Sequence, residues 1–167
     1  MNIYLLRHGL AVERGSAKYR DDRDRPLTAE GRAKVKRIAQ AMTAMDLEFD
    51  AILSSPFVRA RETAELVAAG VKPRRKVTLC DALAADAEPA EIVPHLTALK
   101  PAPKEVLLVG HQPYLGNLAS LLLASTSPDA LEFKKGGLAK LRVSGSPAAR
   151  SASLEWLLTP RLMKLIA

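Results

Sequence analysis

Three short tracts gather imidazole and guanidinium groups: Arg7-His8-Gly9, then Ser55-Pro56-Phe57-Val58-Arg59, then Gly110-His111. Guanidinium forks match the oxygens of a phosphate better than point-charge ammonium groups do. A neutral imidazole can also act as a nucleophile toward phosphorus. If the three tracts meet in space, they make a pocket for a phosphate.

The flanking residues say what must position them. Ile3 to Leu6 is a short, continuous apolar run, which suits a strand buried on both faces. Asp50 to Ser55 and Glu105 to Val109 also read as short strands. In an open α/β sheet, ligands sit at the carboxyl ends of strands, and each run stops at, or just before, one of the basic tracts. Pro113 opens a helix after His111, and Val58 onward has helical spacing, so two of the strand ends face a helix N-terminus, which favours anions. Arg59 is assigned to phosphate; Arg61, two residues on, points to another face and is assigned to the surface. Thr28 is a good N-cap for a helix carrying Ala33, Ile38, Ala41, Met42 and Met45. That helix is expected to end near Leu47, and the one after Arg59 to stop at Gly70. Lys76 to Cys80 reads as a third strand. Glu88 to Leu99 reads as a helix kinked or interrupted at Pro94, with His95 at its surface. Leu138 to Val143 and Ala152 to Leu158 suggest a hairpin, so the sheet is predicted to be mixed, with an antiparallel edge.

These tracts, with Arg61-Glu62-Thr63 and Arg25-Pro26-Leu27-Thr28-Ala29-Glu30-Gly31, resemble the histidine phosphatase superfamily, the phosphoglycerate-mutase-like enzymes and acid phosphatases. The length and the ending Trp156-x-x-Thr159-Pro160-x-Leu162 are similar to its small SixA-type phosphohistidine phosphatases. The resemblance implies a single domain over 1–167, a three-layer α/β/α sandwich on a mostly parallel sheet, and no cofactor. It implies that His8 becomes phosphorylated while Arg7, Arg59 and His111 hold the phosphoryl oxygens. It places residues 10–25 beside the site, with Arg14, Lys18 or Arg20 in reach of substrate; a plain surface connection is the alternative. It puts a proton-donating carboxyl near Asp81, with Asp86 and Glu88 as weaker candidates. Asp81 stands where larger relatives have Glu, and a cap or solvated loop residue is its other reading. A phosphate ester needs such an acid for its alkoxide, whereas the imidazole of a phosphohistidine leaves easily. A weak acid therefore tilts the expected substrate toward phosphohistidine proteins.

The whole chain bounds the alternatives. Its 167 residues suffice for one domain with a buried core. The net charge of +7 allows nucleic acid as a partner, but one Trp, three Tyr and three Phe are not interleaved with the basic residues as single-strand binders require. Three histidines without a close pair and one cysteine, Cys80, offer no metal-ligand pattern and no internal disulfide. Cys80 is expected in the core. With no membrane-length apolar run and no signal-like start, a cytoplasmic monomer acting on a phosphorylated substrate is expected, without membrane or nucleic-acid partners. The competing readings are a small-molecule ester phosphatase, a mutase and a non-catalytic phosphate- or nucleic-acid-binding module. The short stretch between the second and third strands disfavours the mutase, and His8 itself disfavours the binding module.

Overall fold

A computed structural model describes residues 1–123 and 131–167. Its strands are β1 (Asn2–Arg7), β2 (Ala51–Ser54), β3 (Thr78–Leu79), β4 (Glu105–Gly110), β5 (Leu138–Val143) and β6 (Ala152–Leu158). They form a sheet in the order β3-β2-β4-β1-β5-β6. The first four run parallel, and β5 and β6 add an antiparallel hairpin at one edge.

Helices cover both faces, because the central strands are apolar on both. Along β1, Tyr4 and Leu6 join Leu107 and Val109 of β4 in one core. That core also takes Val35, Ile38 and Met42 of α1 (Ala29–Ala44), Val67 of α2 (Val58–Val71) and Met163 of α5 (Pro160–Ile166). Ile3 and Leu5 point the other way, with Val106 and Leu108. They pack on Ile92 and Leu96 of α3 (Ile92–Ala98) and on Leu115, Leu118 and Leu122 of α4 (Tyr114–Leu123). The period-2 direction of strand side chains thus splits one apolar run between two cores. The sheet and its helices make the predicted three-layer α/β/α sandwich.

Thr28 caps α1 as its sequence position predicts, its hydroxyl accepting from Gly31 N at 2.9 Å. Several boundaries differ from expectation. Helix α1 ends at Ala44 rather than near Leu47, with Met45 as its cap. Gly70 is not the stop of α2: the helix runs to Val71 and turns at Lys72, whose φ is 48°. Gly70 instead permits close helix packing, since a Cβ there would lie 2.9 Å from the Cβ of Ala39 on α1. The predicted strand at 76–80 shrinks to Thr78 and Leu79, which pair with only the last two residues of β2, Leu53 and Ser54. Cys80 is buried, as expected of a small core residue. The predicted helix at 88–99 is interrupted ahead of its proline: a 3₁₀ turn, Pro89–Glu91, precedes α3. Pro94 then sits in the first turn of α3, where its missing N–H costs no helical hydrogen bond.

Candidate active site

Because β4 lies between β1 and β2, the three basic strand ends stand side by side. The parallel ladder continues one step past each strand: His8 N donates to Gly110 O at 2.9 Å, and Ser55 N to Val109 O at 2.9 Å. His8, His111 and Ser55 therefore form a row. The two imidazole rings are 5.1 Å apart between centroids. A cavity of about 330 Å³ opens onto Arg7, His8, Arg59 and His111.

His8 is buried and its tautomer is fixed by its own loop. Nδ1 lies 2.7 Å from the Gly9 carbonyl, which can only accept, so Nδ1 carries the proton. Nε2 keeps its lone pair and accepts from Arg59 Nε at 3.3 Å. Burial, together with the charges of Arg59, Arg7 and Lys135, pushes the His8 pKa down to about 3, against the opposing Gly9 hydrogen bond. The ring is neutral at physiological pH, with its free nitrogen beside a guanidinium.

His111 is held differently. Ser55 Oγ accepts from Phe57 N at 3.3 Å and lies 2.8 Å from His111 Nε2. The hydroxyl proton is thereby free to bond Nε2, which leaves the hydrogen on Nδ1. That buried Nδ1 has no partner among the described residues, and neither has Arg7 Nε. An unpaired buried donor costs about 1–3 kcal/mol, so two unmet donors collect where an anion would supply the acceptors. Burial, then His8 and Arg59, lower the His111 pKa to about 2.

The two arginines are anchored from opposite sides. Arg7 donates through Nη1 to the Phe133 carbonyl at 2.5 Å. Arg59, 2% exposed, comes from the first turn of α2 and lies over the Phe57 ring at 5.0 Å. Its Nη2 bonds Asp22 Oδ2 at 2.8 Å and its Nη1 bonds the Asp22 carbonyl at 2.5 Å. Asp22 Oδ1 in turn takes Arg25 Nη2 at 2.7 Å and Arg14 Nε at 2.9 Å. Burial alone would raise the Asp22 pKa, but the bonds from Arg25 and Arg59 hold it near 2. Thr63 ties the nucleophile's turn to α2: its hydroxyl accepts from Gly9 N at 3.1 Å and donates to Arg59 O at 2.7 Å.

The structure brings together Arg7, His8, Arg59 and His111 and leaves other candidates outside. Arg61 is at the surface, 3.8 Å from Glu65. Asp81 starts a 3₁₀ turn, is exposed, and faces a separate depression shared with Phe57, Asp86 and Glu88. It does not line the cavity at His8, and Asp86 pairs with Arg23 at 3.2 Å instead. Arg20 is exposed and lines a neighbouring depression, whereas Arg14 reaches the cavity. Lys18 does not line the cavity and lies 5.5 Å from the Tyr19 ring. Arg25 and Ser55 stood in the quoted motifs without an assigned role, and Asp22, Glu13 and Lys135 were not singled out, although Arg25, Glu13 and Lys135 line the cavity. The available signal was Ser55 and Arg25, each one residue before a proline in a motif; Asp22 sits in a charged run with no periodicity.

Residues 3–85 match the model of the histidine phosphatase superfamily (branch 1). An uncharacterized protein of Picosynechococcus sp. is 39% identical over 152 residues, covering 90% of this chain and 88% of that one. The phosphohistidine phosphatase SixA of Escherichia coli is 24% identical over 166 residues, covering 99% and 98%. The structure of the protein histidine phosphatase SixA complexed with tungstate superposes with a TM-score of 0.84 at 24% identity, over 96% of this chain and 98% of that one.

Proposed function

This chain belongs to the histidine phosphatase superfamily, and on that premise we propose that it hydrolyses phosphohistidine in proteins through a covalent phosphoryl group on His8. The observation that carries the proposal is the His8 ring. Its Nδ1 proton is held by Gly9 O, and its Nε2 lone pair faces Arg59 in a cavity shared with Arg7 and His111.

In the first step His8 Nε2 attacks phosphorus in line. The substrate P–N bond breaks, and its electron pair goes to the departing imidazole, which takes a proton from water. Arg7, Arg59 and His111 Nδ1–H hold the equatorial oxygens, where stabilisation counts most as charge develops. In the second step water attacks the phosphoryl group. The P–N bond to His8 breaks, its pair returns to Nε2, and phosphate leaves. Neither step needs a metal ion. The SixA structure on which this fold superposes is complexed with tungstate, a tetrahedral oxyanion like phosphate, which fits a phosphoryl-binding reading of the fold.

The position of Asp81 favours phosphohistidine over an ester. An alkoxide leaving group needs a donated proton. Asp81 is outside the cavity, and Glu13 is an exposed side chain on its lining. An imidazole leaves without that help. The test is turnover of a phosphohistidine carrier protein and an aryl phosphate, with chelator present, by the wild type and His8→Ala. Preference for the phosphohistidine protein, lost in His8→Ala and indifferent to chelator, is expected. Equal or better turnover of the aryl phosphate overturns the substrate assignment, and activity that survives His8→Ala overturns the mechanism.

A further inference from the structure

Beside the catalytic cavity, a second concavity of about 470 Å³ lies between α1 and α5. Leu10 and Lys135 line both, so the two adjoin. Five cations ring the second one: Lys34 and Arg37 from α1, Lys135 from the turn before β5, and Arg161 and Lys164 from α5. No carboxylate lines it among the described residues. Lys34 pairs with Glu30 on its own helix at 2.5 Å. The other four cations make no ion pair among the described residues, and all four are exposed. Beneath them the floor is apolar, with the half-buried Leu10 and Pro160 at its surface and Val35 and Ile38 buried behind them. Met163, fully buried against α1, fixes α5, so Arg161 and Lys164, three residues apart, share one face. On the same helix Leu162 and Leu165 are 46% and 79% exposed.

We propose that this groove docks an acidic, apolar-faced segment of the phosphorylated protein whose phosphohistidine enters the catalytic cavity; the inference rests on the phosphohistidine reading above. Charge and shape choose the occupant. Like charges around a concave, low-dielectric surface focus a positive potential that an acidic partner relieves. A free phosphate or other small anion has no use for an apolar floor. A single-stranded nucleic acid calls for aromatic platforms, and no aromatic side chain lines the groove among the described residues. An amphipathic segment satisfies both layers, its carboxylates on the rim cations and its apolar side chains on Leu10 and Pro160. Lys135 then serves both cavities, which places the docked segment next to the phosphoryl group it delivers.

The experiment uses two synthetic phosphohistidine peptides that differ only in the flanking segment. One carries Glu and Leu at helical spacing, and the other has Lys in place of Glu. Phosphoramidate is the small-substrate control. For the wild type, kcat/KM on the acidic peptide should exceed that on the basic one by about tenfold or more, through KM and weakening with salt. The double variant Arg37→Glu and Lys164→Glu should erase or invert this preference while turning over phosphoramidate as the wild type does. The milder pair Arg37→Gln and Lys164→Gln should move it the same way by less. Equal use of both peptides by the wild type, or an unchanged preference in both variants, overturns the docking groove alone. Loss of affinity for a single-stranded oligonucleotide in the variants, with peptide turnover unchanged, overturns it in favour of nucleic acid. Wild type that hydrolyses an aryl phosphate but neither peptide overturns the phosphohistidine reading and the groove with it.

Discussion

Two places in the molecule set one carboxylate between basic side chains. At the strand ends, Asp22 takes Arg59 at 2.8 Å and Arg25 at 2.7 Å. On the edge hairpin, Glu155 of β6 takes Lys140 at 3.0 Å and Arg142 at 3.3 Å. The pair distances are alike and the surroundings are not. The Arg59 side chain is 3% exposed, whereas that of Arg142 is 65% exposed. Around Asp22 the two guanidinium groups, with side chains 3% and 11% exposed, have lost water and must be satisfied by the carboxylate or by a ligand, which is the condition under which an anion is bound and a nucleophile tuned. Around Glu155 water competes, and the cluster does little beyond trimming a sheet edge.

The comparison breaks most visibly at the nucleophile. His8→Ala should lower kcat by about 10³-fold or more and abolish the acid-labile, base-stable phosphoenzyme seen on rapid quench; a labelled enzyme in the variant would place the nucleophile elsewhere. Next comes Arg59→Lys, which keeps the charge and loses the fork that holds Asp22 and His8 together. A fall of about 100-fold in kcat/KM is expected from steady-state assays, while Lys140→Arg on the hairpin leaves activity alone. Asp22→Asn should cost about 1–2 kcal/mol in urea unfolding, since it leaves Arg59 without its counter-charge.

A pH series sharpens the contrast further. His8 and His111 titrate near 6.5 when unfolded but near 3 and 2 when folded. Below pH 6.5 the unfolded chain binds more protons than the folded one, so these groups make stability fall as pH drops toward 3. Asp22, depressed to about 2, adds a loss of the same sign between pH 3.8 and 2. The thermal midpoint should decline across the upper window, and His8→Ala should flatten the decline. Glu155→Gln is the smallest case: Lys140 holds this exposed carboxyl below its ordinary value, so the unfolding curve should lie close to wild type and the acid response should change only slightly. A shift as large as that of Asp22→Asn would erase the distinction between the two clusters.

The motif residues were legible because each follows an apolar run that can only be a strand, and each strand end is marked by glycine or proline. Their adjacency was not legible. It depends on β4 entering between β1 and β2, a consequence of crossover topology rather than of any local pattern. The Asp22 anchor lies in a charged segment that looks like solvated surface until burial of Arg25 and Arg59 gives its carboxylate a task. Asp81 illustrates the converse. The resemblance put an acid there, yet the 3₁₀ turn after β3 leaves Asp81 exposed, and it is Ala85, four residues on, that lines the cavity.

Gly31 carries a consequence for heredity. A Cβ at that position would stand 2.0 Å from the Leu10 carbonyl oxygen, a backbone atom that also receives Thr28 N at 3.0 Å. Every amino acid one nucleotide change away from a glycine codon adds a Cβ, so no single step leads from this residue to a tolerated neighbour. Substitutions can redraw the groove on α1, one to two turns further along the same helix, while position 31 admits only silent changes of its glycine codon.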